Sequence, residues 1–145
     1  MQYTYFNGIP NEELMKGIQE LHQKVFGTSE DLLTKMKTKP TLLIHIAIED
    51  EKIVGYKIGY TLSGDLFYSW LGGVDPSYRN KGIASMLMKI QHQYLKEKGY
   101  KTVQTKTMNK WRNMLLLNIK SGFDIMETYI DDKGQHKIVL EKSLG

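Results

Sequence analysis

Val74-Asp75-Pro76-Ser77-Tyr78-Arg79-Asn80-Lys81-Gly82-Ile83-Ala84-Ser85 is the stretch on which the fold turns. The apolar run Leu66 to Val74 enters it, and an amphipathic helix pattern leaves it. The order is strand, Pro-marked loop, basic Gly-containing turn and helix N-terminus. Backbone N–H groups converge at such a junction with a helix dipole behind them, which suits a phosphate or pyrophosphate. Gly82 has no Cβ to hold an anion off, and Arg79 and Lys81 bring charge. Read structurally alone, Pro76 and Gly82 are strand-to-helix punctuation; the basic residues between them favour the anion loop.

Outward from this loop, the chain alternates strands and helices. Tyr3 to Phe6 reads as a short strand, and Pro10 as the first turn of a helix running to Phe26 and closed by Gly27. Thr28 or Ser29 caps a second expected helix over Glu30 to Lys39, stopped by Pro40. Thr41 to Glu49 and Lys52 to Tyr60 form a hairpin around Asp50-Glu51, and Ser63-Gly64-Asp65 turns into Leu66 to Val74. Those are three successive antiparallel strands. After the loop, Ile83, Met86, Leu87, Ile90, Tyr94 and Leu95 make a helical stripe closed by Gly99. Thr102 to Thr107 should then run parallel to Leu66 to Val74, because a helix joins them. Trp111 to Ser121 is the last expected helix, and Phe123 to Ile130 with Lys137 to Glu141 the closing hairpin. No repeat or interdomain linker interrupts residues 1–145, so a single domain is expected.

The net charge of +4 is spread over scattered lysines. Lys35, Lys37 and Lys39 read as a solvated helix face, and the one Trp between Lys110 and Arg112 is too little for a nucleic-acid stacking platform. Cysteine is absent, which removes disulfides, thiolate metal sites and a Cys nucleophile, and fits a cytoplasmic setting. Met1-Gln2-Tyr3-Thr4 does not read as a secretory start, and no apolar run has membrane-spanning length, so no membrane partner is expected. His22, His45, His92 and His136 show no metal-ligand spacing; His45, inside Leu42 to Ile48, reads as a packed strand residue.

Arg79-x-x-Gly82-x-Ala84 resembles the acetyl-CoA loop of the GCN5-related N-acetyltransferase (GNAT) superfamily, written Gln/Arg-x-x-Gly-x-Gly/Ala. Val74-Asp75-Pro76 is similar to the strand end before that loop, and Gly122-Phe123 to the family's Gly-Phe pair closing the last helix. The resemblance implies a single-domain mixed α/β (α+β) fold, the acyl-CoA N-acyltransferase fold. Its sheet is mostly antiparallel and flanked by helices, and two parallel strands splay apart around the pantetheine arm. It further implies transfer of acetyl from acetyl-CoA to an amine on a small molecule, peptide or protein, by a monomer or homodimer. Gly73 and Val74 would hydrogen-bond the arm. Arg79, Asn80, Lys81, Gly82, Ile83, Ala84 and Ser85 would hold the pyrophosphate.

The chain departs from the family elsewhere. Many members place a Tyr acid four residues before the Gly of Gly-Phe; Asn118 stands there, with Met114 four residues earlier as in an Asn-bearing variant. Asn118 either touches the cofactor or is a core amide satisfied by backbone. No family-like Glu base lies on Leu66 to Val74, which offers Tyr68 and Ser69 as residues able to hold a water, or as core. Phe26, Glu30 and Asp31 are candidates for the acceptor, although capping explains the acids as well. The missing Tyr and Glu keep open a second reading, a CoA-binding sensor or scaffold without catalysis.

Overall fold

A computed structural model describes residues 1–145 throughout. Seven strands form one sheet: β1 (Gln2–Asn7), β2 (Leu43–Glu49), β3 (Lys52–Ser63), β4 (Leu66–Val74), β5 (Thr102–Thr107), β6 (Asp124–Ile130) and β7 (His136–Ser143). The helices are α1 (Glu12–Phe26), α2 (Leu32–Met36), α3 (Ile83–Glu97) and α4 (Arg112–Lys120). The sheet order is β1-β2-β3-β4-β5-β7-β6, with every neighbouring pair antiparallel except β4 and β5. This is the mixed, mostly antiparallel architecture expected from the sequence, with its parallel pair in the expected place.

β4 and β5 pair only from Leu66–Thr102 to Ser69–Thr105. Beyond Ser69, β4 stays paired to β3 as far as Val74, while β5 stays paired to β7. The two strands therefore part, and one edge of Trp70–Val74 faces no strand. A bulge leaves Trp70 as the extra residue opposite Ile58 and Gly59, at the point of separation. A bulge adds local twist and turns the strand aside, which opens the gap.

Hydrophobic clusters hold the helices to both faces. Ile18, Leu21 and Met36 of α1 and α2 bury against Ile44, Ile46, Tyr56 and Ile58. Met88 and Leu95 of α3 pack with Phe67, Val103, Phe123 and Leu140. The turn between β2 and β3 falls where expected, with Asp50 and Glu51 at positive φ.

Three local expectations need correction. Pro10 lies outside α1; Asn11 caps it, its side chain accepting the Leu14 N–H at 2.9 Å. The second helix is shorter than Glu30 to Lys39, covering only Leu32–Met36, and no side chain caps it. On α3 the buried face includes Gln91 and His92, while Met86 is 41% exposed, so the apolar stripe placed the face one position off.

Candidate active site

The loop between β4 and α3 is fixed from below by Asp75. Its buried carboxylate accepts the Ser77 N–H at 2.9 Å and meets the ammoniums of Lys24 at 3.1 Å and Lys52 at 3.4 Å. Burial would raise its pKa; the Ser77 hydrogen bond and the two lysines outweigh that and hold it below the usual carboxylate range. Lys24 belongs to α1, so this one carboxylate ties α1, β3 and the loop together.

A single 3-10 turn over Pro76–Tyr78 follows. Asn80 (φ 64°) and Gly82 (φ 78°) then take left-handed backbone on either side of Lys81. No backbone N–H from Arg79 to Ser85 has an acceptor in the protein; the first bond of α3 runs from Met86 N–H to Gly82 C=O. Seen from Gly82, space is open: an added Cβ would meet nothing within 4 Å. Arg79, Asn80 and Lys81 are exposed around this unpaired row.

The opened edge of β4 continues from the loop. On the α1 side a Cβ on Gly73 would sit 3.1 Å from Tyr56 Cε1 and 3.2 Å from Val25 Cγ2. On the other side a Cβ on Gly72 would sit 3.4 Å from the Tyr56 carbonyl oxygen. Gly72-Gly73 thus presents bare backbone at the gap. Phe26 at the end of α1 meets Trp111 at the start of α4 edge to face, ring centroids 5.9 Å apart.

The remaining sequence candidates fall in different places. Asn118 is buried on α4; its carbonyl accepts the Phe123 N–H at 3.0 Å and its side-chain amide bonds to nothing in the protein. Ser69 is buried on the α3 face with Phe67, its carbonyl accepting Thr105 Oγ1 at 2.9 Å, so it lies in the core. Tyr68 points to the opposite face, 5.4 Å from Tyr60, and burial beside Tyr60 and Tyr129 raises its pKa to about 12. Glu30 and Asp31 lie exposed on the segment entering α2 and pair with no cation. No helix is long and apolar enough to cross a membrane.

Sequence reasoning missed His22 and Tyr56. They share a hydrogen bond between Nδ1 and Oη, with the His22 ring 4.8 Å from Phe26. The i, i+4 spacing of His22 and Phe26 is visible in the sequence; the contact with Tyr56 needs α1 laid on β3. A second polar group lies on the α3 side: buried His45, Gln91 and His92 with the partly buried Lys57, of which only His45 was legible as a packed strand residue.

A mixed sheet splayed at one parallel pair, with an unpaired amide loop at its mouth, is a fold shared with solved N-acetyltransferases. The ribosomal-protein-S18-alanine N-acetyltransferase from Escherichia coli superposes with a TM-score of 0.79 at 13% identity, covering 99% of this chain and 95% of that one. An aminoglycoside 6'-N-acetyltransferase complexed with coenzyme A gives 0.80 at 13% identity, covering 100% and 98%. A GNAT family acetyltransferase from Elizabethkingia anophelis with acetyl-CoA bound gives 0.73 at 20%, covering 97% of each. No curated protein matches the chain in sequence. The profile of the Acetyltransferase (GNAT) family matches residues 11–113, and the chain belongs to that family.

Proposed function

We propose that this protein is an acetyl-CoA-dependent N-acetyltransferase that passes acetyl directly to a primary amine. The observation that supports it most is the unbroken run of unpaired N–H groups from Arg79 to Ser85, leading onto the free edge of Trp70–Val74. Lys81 to Ser85 would take the pyrophosphate on backbone amides, with the α3 dipole behind them. Gly73 and Val74 would bond the pantetheine amides as a missing strand does. Acetyl-CoA held there supplies an acetyl group activated as a thioester. A backbone N–H on the β4 edge polarises the carbonyl and stabilises the negative charge that develops on its oxygen. The amine approaches from the α1 side, where Phe26, Tyr68 and Trp70 line the surface. It must be neutral to attack.

A thiolate leaving group with a pKa of about 8.5 needs little acid help near neutrality. Asn118, an unbonded amide on α4, then positions the arm instead of donating a proton. The same absence of a Tyr acid and a Glu base favours the second reading, a CoA-binding sensor of the same fold. Calorimetric titration with acetyl-CoA, competed by CoA, tests the site that both readings share. Saturable binding is expected, and no binding at millimolar ligand removes both.

A further inference from the structure

We propose that Lys39 stands in the acceptor's place and is itself acetylated: with acetyl-CoA bound and no other amine present, the protein transfers the acetyl group to its own Lys39 Nζ. The inference rests on the transferase reading and names one acceptor for it. Lys39 lies on the segment between α2 and β2. Its ammonium sits 4.8 Å from the ring centroid of Trp70 and 5.0 Å from that of Tyr60, and these two rings meet edge to face at 5.9 Å. The side chain is half-buried, whereas Lys35 and Lys37 of the same run are exposed. No carboxylate pairs with it, so attraction to the ring faces holds the ammonium there.

Trp70 is what gives this position its meaning. It is the bulged residue at which β4 parts from β5, and the free edge runs from it to Val74. The unpaired amide loop lies beyond Val74. A cofactor arm laid along the edge from Val74 therefore reaches Trp70 after about 13 Å of strand, and its acyl end arrives there. The Trp70 side chain packs against the cluster under α1, the side of the sheet given above to the amine. Two other lysines lie near the opening and are turned away from it. Lys106 follows Thr105, the last β5 residue paired to β4, but its ammonium lies over the Tyr129 ring, 5.4 Å from the centroid, two strands off on β6. Lys57 pairs with Gly72 of the free edge, yet it shares its face with Gly55, which lies under Ile83 and Leu87 of α3.

The step balances as follows. Lys39 Nζ gives up one proton to water, and its free electron pair forms a bond to the acetyl carbon as the carbon–sulfur bond breaks. CoA leaves as thiolate, and a second proton passes from the nitrogen to water. The product is a neutral acetamide. It has lost the charge that held the side chain over the rings, and as an amide it is an end point and not a carrier.

Incubation of the purified protein with carbon-13-labelled acetyl-CoA and no added amine, followed by peptide mapping by mass spectrometry, tests this. One labelled acetyl on Lys39 is expected, gained about 100-fold faster than on any other lysine because donor and acceptor are held together. The rate should saturate with acetyl-CoA and stay first order in protein at every protein concentration, as transfer within one molecule requires. Gly82→Asp should bring Lys39 down to the rate of the other lysines, and Lys39→Arg should leave no fast-labelled residue. Label spread evenly over the lysines, undiminished in Gly82→Asp, or placed on Lys106 or Lys57 overturns the inference. So does a rate constant that rises with protein concentration, which marks transfer between molecules. A wild type that acetylates added spermidine, 2-phenylethylamine, alaninamide or a lysine-containing peptide yet leaves Lys39 unlabelled overturns the inference alone. A wild type that binds acetyl-CoA but acetylates neither Lys39 nor any of these amines overturns the transferase reading with it.

Discussion

Acidification from pH 7 to pH 5 should cost this protein several kcal/mol of stability through two buried histidines. His45, on β2, has no hydrogen-bond partner at either ring nitrogen. His92, on α3, has only the Lys142 ammonium 3.3 Å from Nδ1, and its Nε2 is unpartnered. Burial first, and then the ammonium of Lys57, push His45 down to about 4. Burial, Lys57 and Lys142 push His92 down to about 3. Both pKa values are lowered in the fold, so from pH 6.5 down to about 4 at His45 and about 3 at His92 the unfolded chain binds protons that the native state refuses. Stability is therefore lost as pH falls through that window and levels off below it. From pH 7 to 5 each histidine contributes about 2 kcal/mol of loss, about 4 together, a large share of the 5–15 kcal/mol typical of a domain. His22 adds in the same direction. Asp75 and Asp131, whose pKa values are lowered, add their loss only as pH falls through the usual carboxylate range and below, under the pH 7 to 5 interval.

Urea unfolding at pH 7, 6 and 5 reads the effect. Lys57→Met gives the control, because Lys57 sits opposite His45 in the register and burial lowers its own ammonium to about 8. Removing that cation should stabilise the protein at pH 7 by about 1–3 kcal/mol and make the acid loss shallower. A wild-type loss under about 1 kcal/mol between pH 7 and 5, or a less stable Lys57→Met, refutes the reasoning.

Gly82→Asp should fold yet lose acetyl-CoA binding more than 100-fold by calorimetry, since a carboxylate about 5 Å from a pyrophosphate repels it by roughly 3 kcal/mol; Gly82→Ala should mainly cost folding, by about 1 kcal/mol, from left-handed backbone. Arg79→Ala should weaken the same binding by about 1–3 kcal/mol through one lost charge-assisted contact. Asp75→Asn should lower chemical stability by about 1–3 kcal/mol and loosen the loop, seen as weaker acetyl-CoA binding; the difference from wild type should vanish only as pH falls below the usual carboxylate range through the lowered native pKa. Asn118→Ala should slow transfer less than tenfold with near-normal acetyl-CoA affinity, whereas complete inactivity contradicts a positioning role.

The loop and its neighbours were legible because local rules fix them. An apolar run ending before Asp75-Pro76, a left-handed Gly82 and a helical stripe need only a few consecutive residues to be read. Their order then dictates a parallel β4–β5 pair. Contacts made by packing between distant segments were not legible. Tyr56 and His22 meet only when α1 lies on β3. Ser69 and Tyr68 are adjacent in sequence but face opposite sides, and only the assembled sheet shows that Ser69 is core. The face of α3 was misjudged at Met86 because Gln91 and His92 are buried polar residues, which a hydrophobic stripe passes over. The second helix was drawn too long because Lys35, Lys37 and Lys39 suit a helix, while the chain must turn early to enter β2.

The most direct test of the transferase reading is thiol release from acetyl-CoA by the purified protein across a panel of amines, with both substrates varied and the products weighed by mass spectrometry. Amine-dependent release, intersecting initial-rate lines and an acceptor heavier by one acetyl group in amide linkage are expected. Saturable acetyl-CoA binding with no release above the buffer rate for any amine would contradict it and leave a CoA-binding sensor. Parallel lines with an acetylated protein that passes its acetyl on would contradict direct transfer.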